Sequence, residues 1–167
     1  MDKGVFWPLA WGLYLAAWGE VGQSGEIEMF LGEYQHSVDS KGRLAVPARF
    51  RSKIERGAVL TRGVDPCLYV YPLEAWEEKA RELSATITDP RLLRLVERRF
   101  FGLAHEVELD AQGRIVLPTK FRQYASLNGE AMVIGARDRF EIWSVAGWEA
   151  CVNEMQDEDL SRLPLPF

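Results

Sequence analysis

Asp39-Ser40-Lys41-Gly42-Arg43-Leu44-Ala45-Val46-Pro47-Ala48-Arg49-Phe50-Arg51 returns 71 positions later as Asp110-Ala111-Gln112-Gly113-Arg114-Ile115-Val116-Leu117-Pro118-Thr119-Lys120-Phe121-Arg122. An acid, a glycine, an arginine, three apolar residues, a proline and a basic-Phe-Arg triplet all keep register. Agreement of that length means two copies of one structural unit, so the fold is the fold of the unit, twice.

Each copy spells out its own local structure. Tyr34, His36 and Val38 alternate with Gln35 and Ser37, the pattern of a half-buried strand. Asp39 ends it, because an aspartate at the head of a turn accepts hydrogen bonds from the N–H groups that follow. Gly42 can then take the positive φ that closes the turn. Leu44-Ala45-Val46 and Ile115-Val116-Leu117 are short apolar runs suited to buried strands. Pro47 and Pro118 stand where a helix can begin, since proline's missing N–H costs nothing in a first turn. Phe50 and Phe121 fall in that helix, which makes each unit strand, turn, strand, short helix.

The similarity extends past the motif. Ala58-Val59-Leu60 matches Ala131-Met132-Val133, and Leu68-Tyr69-Val70-Tyr71 through Trp76 matches Phe140-Glu141-Ile142-Trp143 through Trp148. Two further strands and a closing helix are therefore expected in each half. Leu73, Trp76, Ala80 and Leu83 are spaced for one buried helical stripe, as are Trp148, Val152 and Met155. Between the halves, Asp89-Pro90 is a helix-start signal, and Leu92, Leu93, Val96 and Phe100 oppose Arg91, Arg94 and Arg98. The expected organisation is residues 29–88 as the first repeat, 89–102 as a bridging helix, 103–155 as the second repeat and 156–167 as a tail.

Residues 1–28 read differently. Val5 to Trp18 is apolar but broken by Pro8 and Gly12, and it falls short of the roughly 20 residues a membrane helix needs. Its charged start is slight and no clean small-x-small site follows, which is a poor signal peptide. Residues 1–28 are expected to be translated upstream sequence ahead of a native start at Met29, with codons for Ser24-Gly25-Glu26 able to spell a purine-rich ribosome-binding site, or else a disordered, apolar tail.

At 167 residues and 47% hydrophobic content the chain suits one compact domain or two small intertwined halves, and the repeat favours the halves. Cys67 and Cys151 lack metal or redox spacing and fall in expected core elements, so structural roles are assigned to both. A net charge of −5 opposes nucleic-acid binding at long range. Local charge reverses that: Gly32 to Arg56 holds six basic residues against three acidic, whereas Leu103 to Leu127 holds three of each. The acids concentrate elsewhere, four of them before Met29 and others at Glu154, Asp157, Glu158 and Asp159.

Taken together, Met29-Phe30-Leu31-Gly32-Glu33-Tyr34, the two Asp-x-x-Gly-Arg-three apolar-Pro units and the Tyr71-Pro72-x-x-x-Trp76 close of the first half resemble the MraZ family, from Met29 to about Met155. That resemblance implies a mainly β fold with short α-helices: a tandem, pseudo-two-fold repeat of an AbrB-like swapped-hairpin β-barrel. It further implies a ring-shaped homo-oligomer in the cytoplasm, associated with the nucleoid. Such a ring would regulate transcription of the division and cell-wall gene cluster, repressing its own operon through tandem direct repeats in double-stranded DNA.

Arg43 follows the turn glycine and is the leading candidate for DNA, since a preordered guanidinium can grip phosphate or guanine in a bidentate fork. Lys41, Arg49 and Arg51 are expected to hold the DNA backbone, with Arg114 as the second copy's counterpart. Asp39, Gly42, Asp110 and Gly113 are expected to build the turns. Arg43 and Arg114 can equally pair with Asp39 and Asp110 to lock the hairpins, and the two roles are compatible. In the second copy Gln112 replaces Lys41, which weakens the case for DNA there. No cofactor, metal, membrane or small-molecule substrate is expected: His36 and His105 have no companion at metal spacing, and the glycines are turn glycines rather than phosphate cradles. The rival to a DNA-binding regulator is an oligomeric protein-interaction scaffold using Arg91, Arg94 and Arg98, with only incidental DNA contact.

Overall fold

A computed structural model describes residues 29–157. The apolar segment 5–18, the rest of the upstream extension expected ahead of Met29 and the acids Glu158 and Asp159 lie outside the described residues.

Among the described residues, eight strands and five α-helices follow the order the repeat requires. In the first half β1 (Glu33–Ser37), β2 (Arg43–Ala45), α1 (Ala48–Arg51) with a 3₁₀ turn (Ser52–Ile54), β3 (Ala58–Arg62), β4 (Leu68–Pro72) and α2 (Leu73–Thr86) follow one another. After α3 (Pro90–Phe100) the second half answers with β5 (His105–Val107), β6 (Arg114–Val116), α4 (Thr119–Tyr124), β7 (Glu130–Gly135), β8 (Phe140–Ser144) and α5 (Val145–Asp157).

The halves do not fold side by side; they exchange strands. A six-stranded antiparallel sheet runs β1-β7-β8-β4-β3-β5, so the first strand of each half hydrogen-bonds to the other half's third strand. A separate ribbon pairs β2 with β6. Both junctions between halves are symmetric. In the sheet Leu68 opposes Ile142 and Val70 opposes Phe140, placing the pseudo-dyad at the Tyr69–Glu141 pair; in the ribbon it passes through Leu44–Ile115. Hydrogen bonding does not close the barrel, because β1 and β5 remain its two edges, and the ribbon lies over the open face.

Alternation along the strands builds two cores. Leu68, Val70, Ala131, Val133, Phe140 and Ile142 point to the ribbon side, where Leu44, Val46, Ile115, Leu117, Phe50 and Phe121 meet them. Phe30 and Phe50 meet edge-on at 5.0 Å, and Tyr34 meets Phe50 at 5.2 Å; such pairs contribute about 0.5–1.5 kcal/mol beyond their burial. The odd-numbered neighbours Tyr69, Tyr71 and Trp143, with Met132, point the other way, toward Trp76 of α2 and Trp148 of α5. There Arg139 lies over the Tyr69 ring at 4.3 Å and pairs with Glu141 at 2.7 Å, while Lys79 of α2 reaches Asp138 at 3.4 Å. These contacts tie α2 of one half to the β7–β8 turn of the other.

The helical stripes differ from expectation in one respect. Trp76, Ala80, Leu83, Trp148 and Val152 are only half-buried, and Leu73 and Met155 are exposed, because the sheet covers only part of each helix's apolar stripe. The bridging helix starts where the sequence says: the Asp89 carboxylate accepts from the Arg91 and Leu92 amides at 2.8 and 3.3 Å. Its apolar face splits, with Leu93, Val96 and Phe100 half-buried and Leu92 left exposed. Cys67 is buried and Cys151 half-buried, both as free thiols, and burial pushes each thiol pKa up.

Candidate nucleic-acid interface

The two turns are built alike, atom for atom. Asp39 Oδ1 accepts from the Lys41 and Arg43 amides, each at 2.9 Å, and Gly42 N–H donates to the Asp39 carbonyl at 2.9 Å. Asp110 Oδ1 accepts from the Gln112 and Arg114 amides at 2.9 and 3.0 Å, and Gly113 N–H donates to the Asp110 carbonyl at 2.9 Å. Gly42 and Gly113 hold φ of +76° and +73°, the left-handed region where a Cβ is strained.

Each aspartate also holds its arginine. Arg43 Nε donates to Asp39 Oδ2 at 2.7 Å, and Arg114 Nε to Asp110 Oδ2 at 2.8 Å. Bonding through Nε fixes the guanidinium plane while leaving the terminal nitrogens at the other edge of the fork. In Arg114 one of these donates to Gln112 Oε1 at 2.9 Å. The Arg43 amide, then the Arg43 guanidinium and the Lys41 amide, hold the Asp39 carboxyl below its ordinary value against the opposing effect of desolvation. Asp110 is held down in the same way by the Arg114 amide, the Arg114 guanidinium and the Gln112 amide.

The ribbon register decides where these arginines point. Leu44 and Ile115 are buried against the core, so the residues flanking them in β2 and β6 lie on the opposite, outward face. Arg43 pairs with Val116 and Ala45 with Arg114, which makes Arg43 and Arg114 diagonal neighbours on that face. Diagonal positions in an antiparallel ribbon sit about 7–8 Å apart. Their side chains keep 30% and 27% of their surface in solvent, and Val116 beside Arg43 is 54% exposed.

Lys41 is exposed at the first turn, and Arg49 on α1 and its counterpart Lys120 on α4 are exposed as well. Arg51 is placed differently. It is half-buried, and its Nε donates to the Val46 carbonyl at 2.9 Å, as Arg122 does to Leu117 at 3.0 Å. His36 lies on β1, its pKa lowered by burial and by the neighbouring Arg51 charge, while His105 sits exposed on the edge strand β5. Among the described residues no cluster of His, Cys, Asp and Glu has metal-binding geometry, and no helix is long and apolar enough to cross a membrane.

Reasoning from sequence found both arginines but treated them as belonging to separate hairpins. The pairing of β2 with β6 sets them side by side with Val116. One signal was available: in Arg-Leu-Ala and Arg-Ile-Val a buried residue sits between two outward ones, and a dyad between the copies pairs like with like.

Comparison with known proteins agrees with this architecture. The family model for MraZ protein, described as antitoxin-like, matches residues 29–95 and again residues 100–164. Proteins named transcriptional regulator MraZ are similar over most of their length. The one from Moorella thermoacetica is 47% identical over 133 residues, 78% of this chain and 91% of that protein. The one from Roseiflexus castenholzii is 44% identical over 127 residues, covering 76% and 89%. The one from Herpetosiphon aurantiacus is 47% identical over 131 residues, covering 78% and 91%.

Proposed function

The chain belongs to the MraZ family, and from that premise we propose that the β2–β6 ribbon is a double-stranded DNA reader. It would act on tandem short repeats in the promoter of the division and cell-wall gene cluster. The observation that carries this reading is the pair Arg43 and Arg114 on one outward face, each with its plane fixed by an aspartate. A guanidinium ordered before binding loses less freedom when it meets a phosphate or a guanine edge, and two-stranded ribbons fit the major groove. Lys41 and Arg49 extend the same charged surface and supply backbone contacts. The second copy thereby joins the interface through Arg114, even though Gln112 stands where the first copy has Lys41.

One acidic subunit with a small basic ribbon binds weakly. A homo-oligomeric ring presenting several ribbons to several repeats converts later contacts into intramolecular ones and raises avidity by roughly 10² to 10⁴. The half-covered apolar stripes of α2, α3 and α5 supply surface for such self-association. In the cell the protein would act in the cytoplasm at the nucleoid, repressing its own operon, without cofactor, small-molecule substrate or membrane.

The rival reading, a protein-interaction scaffold, draws support from α3, where Arg91, Arg94, Leu92, Leu95 and Arg98 are all exposed. One substitution separates the two. Arg43→Ala should abolish the shift of a promoter fragment carrying several repeats while sedimentation shows the wild-type assembly. Sequence-indifferent binding by the wild type, unchanged in Arg43→Ala, would hand the case to the scaffold.

A further inference from the structure

We infer that Arg51 and Arg122 are crossed positioning residues: each arginine sets the DNA-facing turn of the other half. The inference rests on the DNA-reading role of the ribbon and assigns Arg51 a different part from the phosphate contact expected of it.

The geometry is reciprocal. Arg51 anchors its Nε on the Val46 carbonyl, and the Val46 amide donates to the Gly113 carbonyl at 2.9 Å. Arg122 anchors on the Leu117 carbonyl, and the Leu117 amide donates to the Gly42 carbonyl at 2.7 Å. Each arginine then lies close against that same distant turn. A Cβ built on Gly113 would stand 2.5 Å from Arg51 Cζ and nearer still to its Nε; one built on Gly42 would stand 3.0 Å from Arg122 Nε and 2.9 Å from the Leu117 carbonyl oxygen. The glycines are thus required twice, for their positive φ and for the close approach of the arginine side chain.

The consequence is specific. The first turn, which orders Lys41 and Arg43, is held by Arg122 from the second half. The second turn, which orders Gln112 and Arg114, is held by Arg51 from the first. A planar group with a donor at Nε does this; a lysine, with a point charge at the end of a flexible stem, does not.

Amide hydrogen exchange of the full-length assembled protein, compared with DNA binding at several salt concentrations, tests the inference with Arg122→Ala, Arg122→Lys and Arg51→Ala. A side-chain hydrogen bond from a charged group typically corresponds to roughly ten- to hundredfold in an equilibrium. Arg122→Ala and Arg122→Lys are both expected to speed exchange at Lys41 and Arg43 by that order, with the Gln112 and Arg114 amides unchanged. Arg51→Ala is expected to do the reverse. DNA affinity falls in each, but the slope of affinity against salt stays at the wild-type value, since no phosphate contact has gone. Three results overturn the inference: faster exchange spread evenly over both turns and the sheet, a salt slope reduced by about one contact with turn exchange unaltered, or full rescue by lysine. If exchange crosses between halves as stated but the wild type ignores repeat-bearing DNA, the brace stands and the DNA reading fails.

Discussion

Leu44 opposes Ile115 at the centre of the ribbon, and neither exposes any surface. The pair does two things at once: it closes the core over the sheet and it forces Arg43 and Arg114 onto the outward face. Truncating either side chain leaves a cavity under the ribbon. Leu44→Ala and Ile115→Ala should each cost about 2–5 kcal/mol in denaturant unfolding, with nearly equal effects because the pseudo-dyad makes the sites equivalent. A loss confined to one of them would contradict that equivalence.

The strand exchange makes a prediction about fragments. Because β1 finds its partner in β7, β5 in β3 and β4 in β8, each half keeps only a two-stranded hairpin of its own, β3–β4 or β7–β8, and the rest of the sheet needs both. Residues 29–88 and 103–157 expressed alone should lack a cooperative unfolding transition, whereas mixing them should restore one, followed by circular dichroism. A cooperative isolated half would mean that the exchange is incidental.

Acid should loosen the turns through Asp39 and Asp110. Both carboxyls are held below their ordinary value of 3.8 in the folded protein, so the fold favours the ionised form. Their contribution is intact above that value and disappears as pH falls below it through the lowered folded value. Protection of the Lys41, Arg43, Gln112 and Arg114 amides should decline in that window, after correction for the intrinsic pH dependence of exchange. Asp39→Asn should remove the pH response from the first turn and leave it in the second.

Gly42→Ala and Gly113→Ala test the crowding above the turns. Backbone strain alone at a left-handed position costs about 1–2 kcal/mol, and the guanidinium or carbonyl met by the new Cβ adds to it. Gly129→Ala serves as the reference, since Gly129 also has positive φ but a Cβ there meets nothing within 4 Å. Unfolding midpoints should fall further for the two turn glycines than for Gly129.

Much of this was legible in the chain itself. Duplication gave the unit, and Asp39 with Gly42 gave the turn, with a carboxylate accepting from amides that follow it; that these are the Lys41 and Arg43 amides came from the structure. Phe50 and Phe121 were placed correctly in short helices, because sterics and short-range hydrogen bonding decide such features within a few residues. The ribbon face was not legible in the same way, since pairing of β2 with β6 is set by packing of Leu44 and Ile115 against strands far along the chain. The stripes of α2 and α5 were overread for a related reason: periodicity reports which side of a helix is apolar, not how much of that side a neighbour covers. Arg51 shows the limit most clearly. Beside Arg49 in sequence it looks like one more surface cation, and only the fold brings Gly113 beneath it.

The pseudo-dyad through Leu44 and Ile115 has a last consequence. A ribbon made from two identical chains looks the same from either end and therefore matches a palindrome, as two-fold proteins do on two-fold sites. With both halves in one polypeptide the two ends differ, with Lys41 at one and Gln112 at the other. The ribbon consequently has a head and a tail, and in the proposed DNA-reading role it would distinguish the two orientations of a duplex laid against it.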